Sequence, residues 1–247
     1  MFPELQKFIE TNIELIENAR FHELYNMNVD VPKFTEALLQ AGIDPLSNMN
    51  YIPANYLCES DIKQFVVPSH IERIDSAAFW ECRELEKVTL PEGLISIEAS
   101  AFSECHKLTQ INLPSTLKHI YEDAFSETAL KHVVIPDNVA KVSRHCFEKC
   151  KQLETVKLGK YCVRVGAGAF SNCEKLRYIQ LNEGLESIGE YAFKNCQSLK
   201  ELYIPATVDK IGSFSFYECD PDIKIICVKN SYAHKYCEAT IMEYALI

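Results

Sequence analysis

Leu85-Glu86-Lys87-Val88-Thr89-Leu90-Pro91-Glu92-Gly93-Leu94-Ile95-Ser96-Ile97-Glu98-Ala99-Ser100-Ala101-Phe102-Ser103-Glu104-Cys105 decides the fold, because the chain keeps returning to this pattern. Aliphatic side chains stand at Leu85, Val88 and Leu90, and again at Leu94 and Ile97. A small residue and a phenylalanine follow, and a cysteine closes the unit. The same frame begins at Leu108, Leu130, Leu153, Leu176 and Leu199, with an earlier copy from Ile62 and a partial one from Ile223. Successive starts differ by 23 residues, except 22 before Leu130 and 24 before Ile223.

Each part of the unit has a physical reading. Alternation at the fourth and sixth positions describes a short strand with one buried face. Pro68, Pro91, Pro114, Pro136 and Pro205 follow these strands, with Gly159 and Asn182 in two units; a proline cannot donate the next ladder hydrogen bond and so ends the strand. The small-residue-phenylalanine pairs run from Ala78-Phe79 through Cys146-Phe147 to Ser215-Phe216. One unit alone buries too little apolar surface to offset the entropy of ordering its backbone. Stacked units cover each other's open faces, and a solenoid results.

The pattern L-x-x-I-x-I-P-x-x-V-x-x-I-x-x-x-A-F-x-x-C resembles the BspA-like (Treponema-type) leucine-rich repeats, over roughly residues 50–247. The resemblance implies a leucine-rich-repeat solenoid: short β-strands with turns and short helical segments, wound into a curved right-handed superhelix with a strand-lined concave face. It also implies protein recognition, often at cell surfaces.

Both ends of such a stack need caps. Phe2, Leu5, Ile9, Ile13, Ile16 and Leu24 follow the spacing of an amphipathic helix. Asp30 is placed to N-cap a second helix, with Pro32 in its first turn and Gly42 past its end. The expected organisation is a helical N-terminal cap over 1–50, repeats over 51–228 and a C-terminal cap over 229–247. In that last segment Ser231–Glu238 reads as a short helix and Ile241–Ile247 as a closing strand.

Composition narrows the function. The net charge of −10 speaks against direct nucleic-acid binding, which needs clustered Lys and Arg. Residues 1–60 carry −6 of it. Neither a leader-like start nor an apolar run long enough for a membrane span is visible, so the expected location is cytoplasmic, with the cell surface as the alternative.

The chemistry-bearing residues mostly belong to the framework. Cys82, Cys105, Cys150, Cys173, Cys196 and Cys219 share one position of the unit, with Thr128 in the exception; the expectation is a ladder of buried thiols about 5 Å apart. No C-x-x-C occurs, and neither a metal nor a cofactor is expected. His145-Cys146 would need an exposed, acidic thiol to act as a nucleophilic pair, whereas Cys146 sits at a core position. Gly166 and Gly168 lack the rest of a phosphate-binding loop. The chain is expected not to be an enzyme.

Recognition is left to the outward residues beside each strand centre: Gln64/Val66, Lys87/Thr89, Gln110/Asn112, His132/Val134, Thr155/Lys157, Tyr178/Gln180 and Glu201/Tyr203. Exposed aromatics are enriched where interfaces carry energy. Tyr178, Tyr203, Lys157 and His132, with Gln180 and Glu201, form the candidate partner-binding patch. The leading expectation is a protein-binding scaffold. An adhesion module outside the cell is one alternative. An acidic inhibitor of viral or mobile-element origin, blocking a nucleic-acid-binding partner, is another.

Overall fold

A computed structural model describes residues 49–247 together with Thr35, Leu38, Leu46 and Ser47. Most of the expected N-terminal helical cap lies outside these residues. Thr35 and Leu38, within the second expected helix, are helical and fully buried.

The chain winds as a parallel-strand solenoid of about nine turns. Each turn contributes two strands. The first series is β2 (Gln64–Val66), β4 (Lys87–Thr89), β6 (Gln110–Ile111), β8 (His132–Val134), β10 (Thr155–Lys157), β12 (Tyr178–Gln180), β14 (Glu201–Ile204) and β16 (Lys224–Cys227). The second is β1 (Tyr51–Ile52), β3 (Arg73–Ile74), β5 (Ser96–Ile97), β7 (His119–Ile120), β9 (Lys141–Val142), β11 (Arg164–Val165), β13 (Ser187–Ile188) and β15 (Lys210–Ile211). Partners lie one repeat apart in sequence, so Val156 sits beside Val133 and Ile179. The strands bury their middle residue and expose its neighbours, as the alternation predicts.

The return path between strands is built of turns, and no helix lies between residues 50 and 230. The reason is local. Each unit passes twice through the left-handed region, once before its phenylalanine and once after it, as at Ser100 (φ 56°) and Glu104 (φ 61°). A helix cannot continue through such residues. Gly168 (φ 61°) takes the first of these positions in its unit, and a side chain there would run into the His145 ring.

Two ladders run through the core. Phe79, Phe102, Phe125, Phe147, Phe170 and Phe193 are fully buried and stack nearly parallel, with ring centroids 5.1–5.7 Å apart. Beside them Cys82, Cys105, Cys150 and Cys196 are fully buried. Their thiols donate to main-chain carbonyls of the preceding turn, Cys105 to Phe79 at 3.1 Å and Cys196 to Phe170 at 3.2 Å. Thr128 substitutes its hydroxyl, donating to the Phe125 carbonyl at 3.0 Å within its own turn and lying 3.2 Å from the Cys150 sulfur.

At the C-terminal end the helix Tyr232–Thr240 is N-capped by the Ser231 hydroxyl, which accepts from the His234 amide. It ends in a left-handed Ile241 before β17 (Tyr244–Leu246) pairs with β16.

The stack has a seam. The first-series strands form three separate sheets, β2-β4-β6, β8-β10-β12 and β14-β16-β17, and the second-series strands part between β7 and β9. Both series therefore break between the third and fourth units. Here the spacing is 22 residues, and one residue is missing: Ala129 alone separates Thr128 from Leu130, where two residues follow Cys82, Cys105, Cys150, Cys173 and Cys196 and three follow Cys219. On the turn side the stack stays continuous across this junction. Phe125 donates its amide to Cys146 O at 2.9 Å, and its ring lies 5.4 Å from that of Phe147. The junction is joined at the turns and open between the first-series strands, while beside the second series side-chain bonds from Asn138 to Ser115 O and from Ser143 to Ile120 O still cross it.

Candidate functional site

An open cleft of about 880 Å³ occupies the seam between β6 and β8. Its walls are Ile111, Asn112 and Leu113 on one side and His132–Ile135 on the other, and Phe125 and Phe147 line its inner end. Lys157, Asp137 and Tyr161 stand at its mouth. The cleft coincides with the shortened turn: one residue fewer precedes Leu130, and β6 and β8 belong to separate sheets.

Four of the six residues expected to bind a partner share the sheet beside this cleft. His132, Thr155 and Tyr178 form one row across β8, β10 and β12, and Val134, Lys157 and Gln180 form the row next to it. His132 Nδ1 lies 2.8 Å from Thr155 Oγ1, which fixes the imidazole on the strand face. Tyr178 is 55% exposed. His132 and Lys157 also line the cleft.

Glu201 and Tyr203 lie on β14, which belongs to the next sheet, in register with Lys224 and Ile226. Tyr203 is half-buried, and its hydroxyl donates to Glu183 Oε2 at 3.3 Å. Burial and the Glu183 carboxylate push this phenol above its ordinary value. The six residues thus divide into a group of four at the cleft and a pair across a sheet boundary. The two tyrosines make no ring contact with each other.

Val134 and Asn112 are outward by the strand alternation but stand outside the expected patch, and Asp137 and Tyr161 carry no signal in the repeat pattern. Val134 is 64% exposed, an aliphatic side chain at a position that carries Thr89, Asn112, Lys157 and Gln180 in the units around it and an exposed valine, Val66, in the first. Asn112, Asp137 and Tyr161 complete the cleft. The legible signal was the 22-residue spacing, which marks where the ladder opens.

The remaining candidate chemistry is absorbed by the core. Cys146 is fully buried, and burial holds its thiol far above the ordinary range, so it is no nucleophile. His145 instead meets Glu148 at 2.8 Å. Among the described residues no cluster of three or more His, Cys, Asp or Glu is placed to hold a metal ion. No helix among them is long and apolar enough to cross a membrane.

Parallel strands one repeat apart, a buried phenylalanine ladder and turns in place of crossover helices define a leucine-rich-repeat solenoid. The chain belongs to the BspA type leucine rich repeat family, whose repeats match in six copies over residues 50–177 and 118–239. It is similar to the crystal structure of a Treponema pallidum leucine-rich repeat protein, with 28% identity and a TM-score of 0.58 over 64% of this chain and 75% of that one. A leucine-rich repeat protein from Bacteroides ovatus shares the fold at 21% identity and TM-score 0.53, over 80% of this chain and 69% of that one. Among curated proteins, none matches.

Proposed function

We propose that the protein is a non-catalytic, protein-binding scaffold, and that its partner contacts the strand face from the seam cleft to Tyr178. One observation carries this reading: beside a cleft that folding does not require stand an exposed valine, Val134, with Lys157 next to it in the same row, and an exposed tyrosine, Tyr178, in the neighbouring row. Large apolar groups held outward on a rigid sheet next to a concavity are how interfaces concentrate energy. Glu201 and Tyr203 extend the contact into the next sheet.

The test is capture from the native source with immobilised wild type and a Val134→Asp, Tyr178→Ala variant. A protein retained by the first and lost by the second supports the assignment. Equal retention by both removes the strand face from consideration. A second reading, adhesion outside the cell, is favoured by membership of the BspA type family. Detection of the native protein on the outer cell surface is the observation that would raise it above the first.

A further inference from the structure

The second series of strands carries a charge pattern that the proposed interface does not use. In register along it, the residues that precede the buried aliphatics are Arg73, Ser96 and His119 in one sheet and Lys141, Arg164, Ser187 and Lys210 in the other; Ser96 is buried and Ser187 half-buried. Two residues further along each chain, on the same face, the early units supply a carboxylate. Asp75 accepts from Arg73 at 2.5 Å, and Glu98 accepts from Ser96 at 2.8 Å.

From the third unit onward that carboxylate is gone, its place taken by Tyr121, Ser143, Gly166, Gly189 and Gly212. Ser143 is buried, with its hydroxyl donating to Ile120 O at 2.5 Å. The glycines cannot be replaced by acidic residues, because a Cβ on each would strike backbone of the preceding turn at Ser143, Ala167 and Glu190. Close stacking therefore strips the cations of their local partner.

Lys141, Arg144 and Arg164 are exposed and converge on a groove of about 510 Å³. None of the three forms an ion pair with a carboxylate among the described residues, although nine other Lys or Arg side chains do so. Arg164 Nε donates to Ser187 Oγ at 3.3 Å, and the Lys141 ammonium lies 6.0 Å from the Tyr121 ring centre. Glu122 is the one carboxylate in the lining. In a chain of net charge −10, three cations around a groove with a single carboxylate in its lining are a local reversal of sign, with Asp123 a further carboxylate that acts on Arg144.

We propose that Lys141, Arg144 and Arg164 form a second binding site, which takes the carboxylate side chains of an acidic peptide segment from a protein partner. Lys141 and Arg164 stand on adjacent strands, about 4.8 Å apart, close enough for both to engage one carboxylate or two neighbouring ones. The arginine fork suits a planar carboxylate. A uniform polyanion fits less well. Following the sheet toward Lys210, it would pass Glu186 and Asp209, which line the adjoining depression and would repel it. A segment with a few discrete acidic residues meets the cations and avoids those positions.

The test uses the full chain and a fluorescein-labelled peptide carrying two adjacent glutamates in a glycine-serine background, followed by fluorescence anisotropy at about 20 mM and about 150 mM salt. Wild type binds the peptide, more weakly at the higher salt. The Lys141→Ser, Arg164→Ser double variant weakens binding roughly tenfold or more, and Arg164→Lys, which keeps the charge and loses the fork, falls between. Lys87→Ser, on the first-series face, leaves binding unchanged. Circular dichroism and melting curves confirm that these exposed substitutions leave the fold intact. The proposal is overturned if the two-glutamate peptide fails to bind at low salt, or if the double variant binds it as wild type does. It is equally overturned if an oligothymidine of the same length binds at least as tightly, since that marks a general polyanion surface.

Discussion

The Cys173 thiol donates to the carbonyl oxygen of Phe147, in the preceding turn, at 3.2 Å. This one contact joins the two ladders of the core, because the acceptor belongs to a stacked phenylalanine and the donor to the buried column of sulfurs. Burial holds the Cys173 thiol well above its ordinary pKa. The native protein is therefore expected to react slowly with a thiol reagent at pH 8, and all eleven cysteines to react at once in denaturant. Rapid native modification of more than the half-buried Cys58 and Cys219 would contradict a structural role for the column.

The same burial makes stability depend on alkaline pH. Burial lifts the Cys150 thiol from 9.0 to about 11, and Cys219 likewise to about 11. Both groups stay neutral in the folded protein at a pH where the unfolded chain ionises them. Their stabilising effect is full below the unfolded value and is lost as pH rises through the folded one. Urea midpoints are expected to hold between pH 7 and about 8.5 and then to fall steadily toward pH 11. A flat profile to pH 10.5 would refute the linkage.

Restoring the residue missing after Thr128 is expected to close the seam. With one lysine inserted beside Ala129, β8 gains the register of the other first-series strands. Amide exchange at Ile111–Leu113 and His132–Val134 should slow by at least about tenfold. A partner that uses the cleft would lose affinity for this variant, while one held mainly at Tyr178 would not.

Ala77 occupies the left-handed region at φ 56° in the first full unit. Ala77→Gly relieves that strain and is expected to stabilise the protein by about 0.5–1 kcal/mol, read as a shift in the denaturation midpoint. Phe125→Ala, at the inner end of the seam, is expected to cost about 3–5 kcal/mol.

Much of this architecture was written in particular residues. The strand centres Val88, Val133 and Ile179 and the column from Phe79 to Phe193 announce the solenoid, since their period is what makes one turn cover the next. The site was legible only in part. His132, Lys157, Tyr178 and Gln180 face outward together because strand alternation dictates it. That Glu201 and Tyr203 belong to a different sheet depends on where hydrogen bonding lapses between β12 and β14, and the 23-residue spacing is unbroken there. The basic groove was hidden for another reason. It arises from the loss of a carboxylate two residues away, visible only once the register of β9, β11, β13 and β15 is known.

In a linear array, cooperation passes only from neighbour to neighbour, and it stops at the weakest joint. The joint at Ala129 keeps its aromatic stack and its turn-side hydrogen bonds and lacks the strand ladder. Fraying that starts from either terminus has a natural halting point there. A partner seated in the cleft would bridge that joint, so binding in the middle of the molecule would couple its two ends.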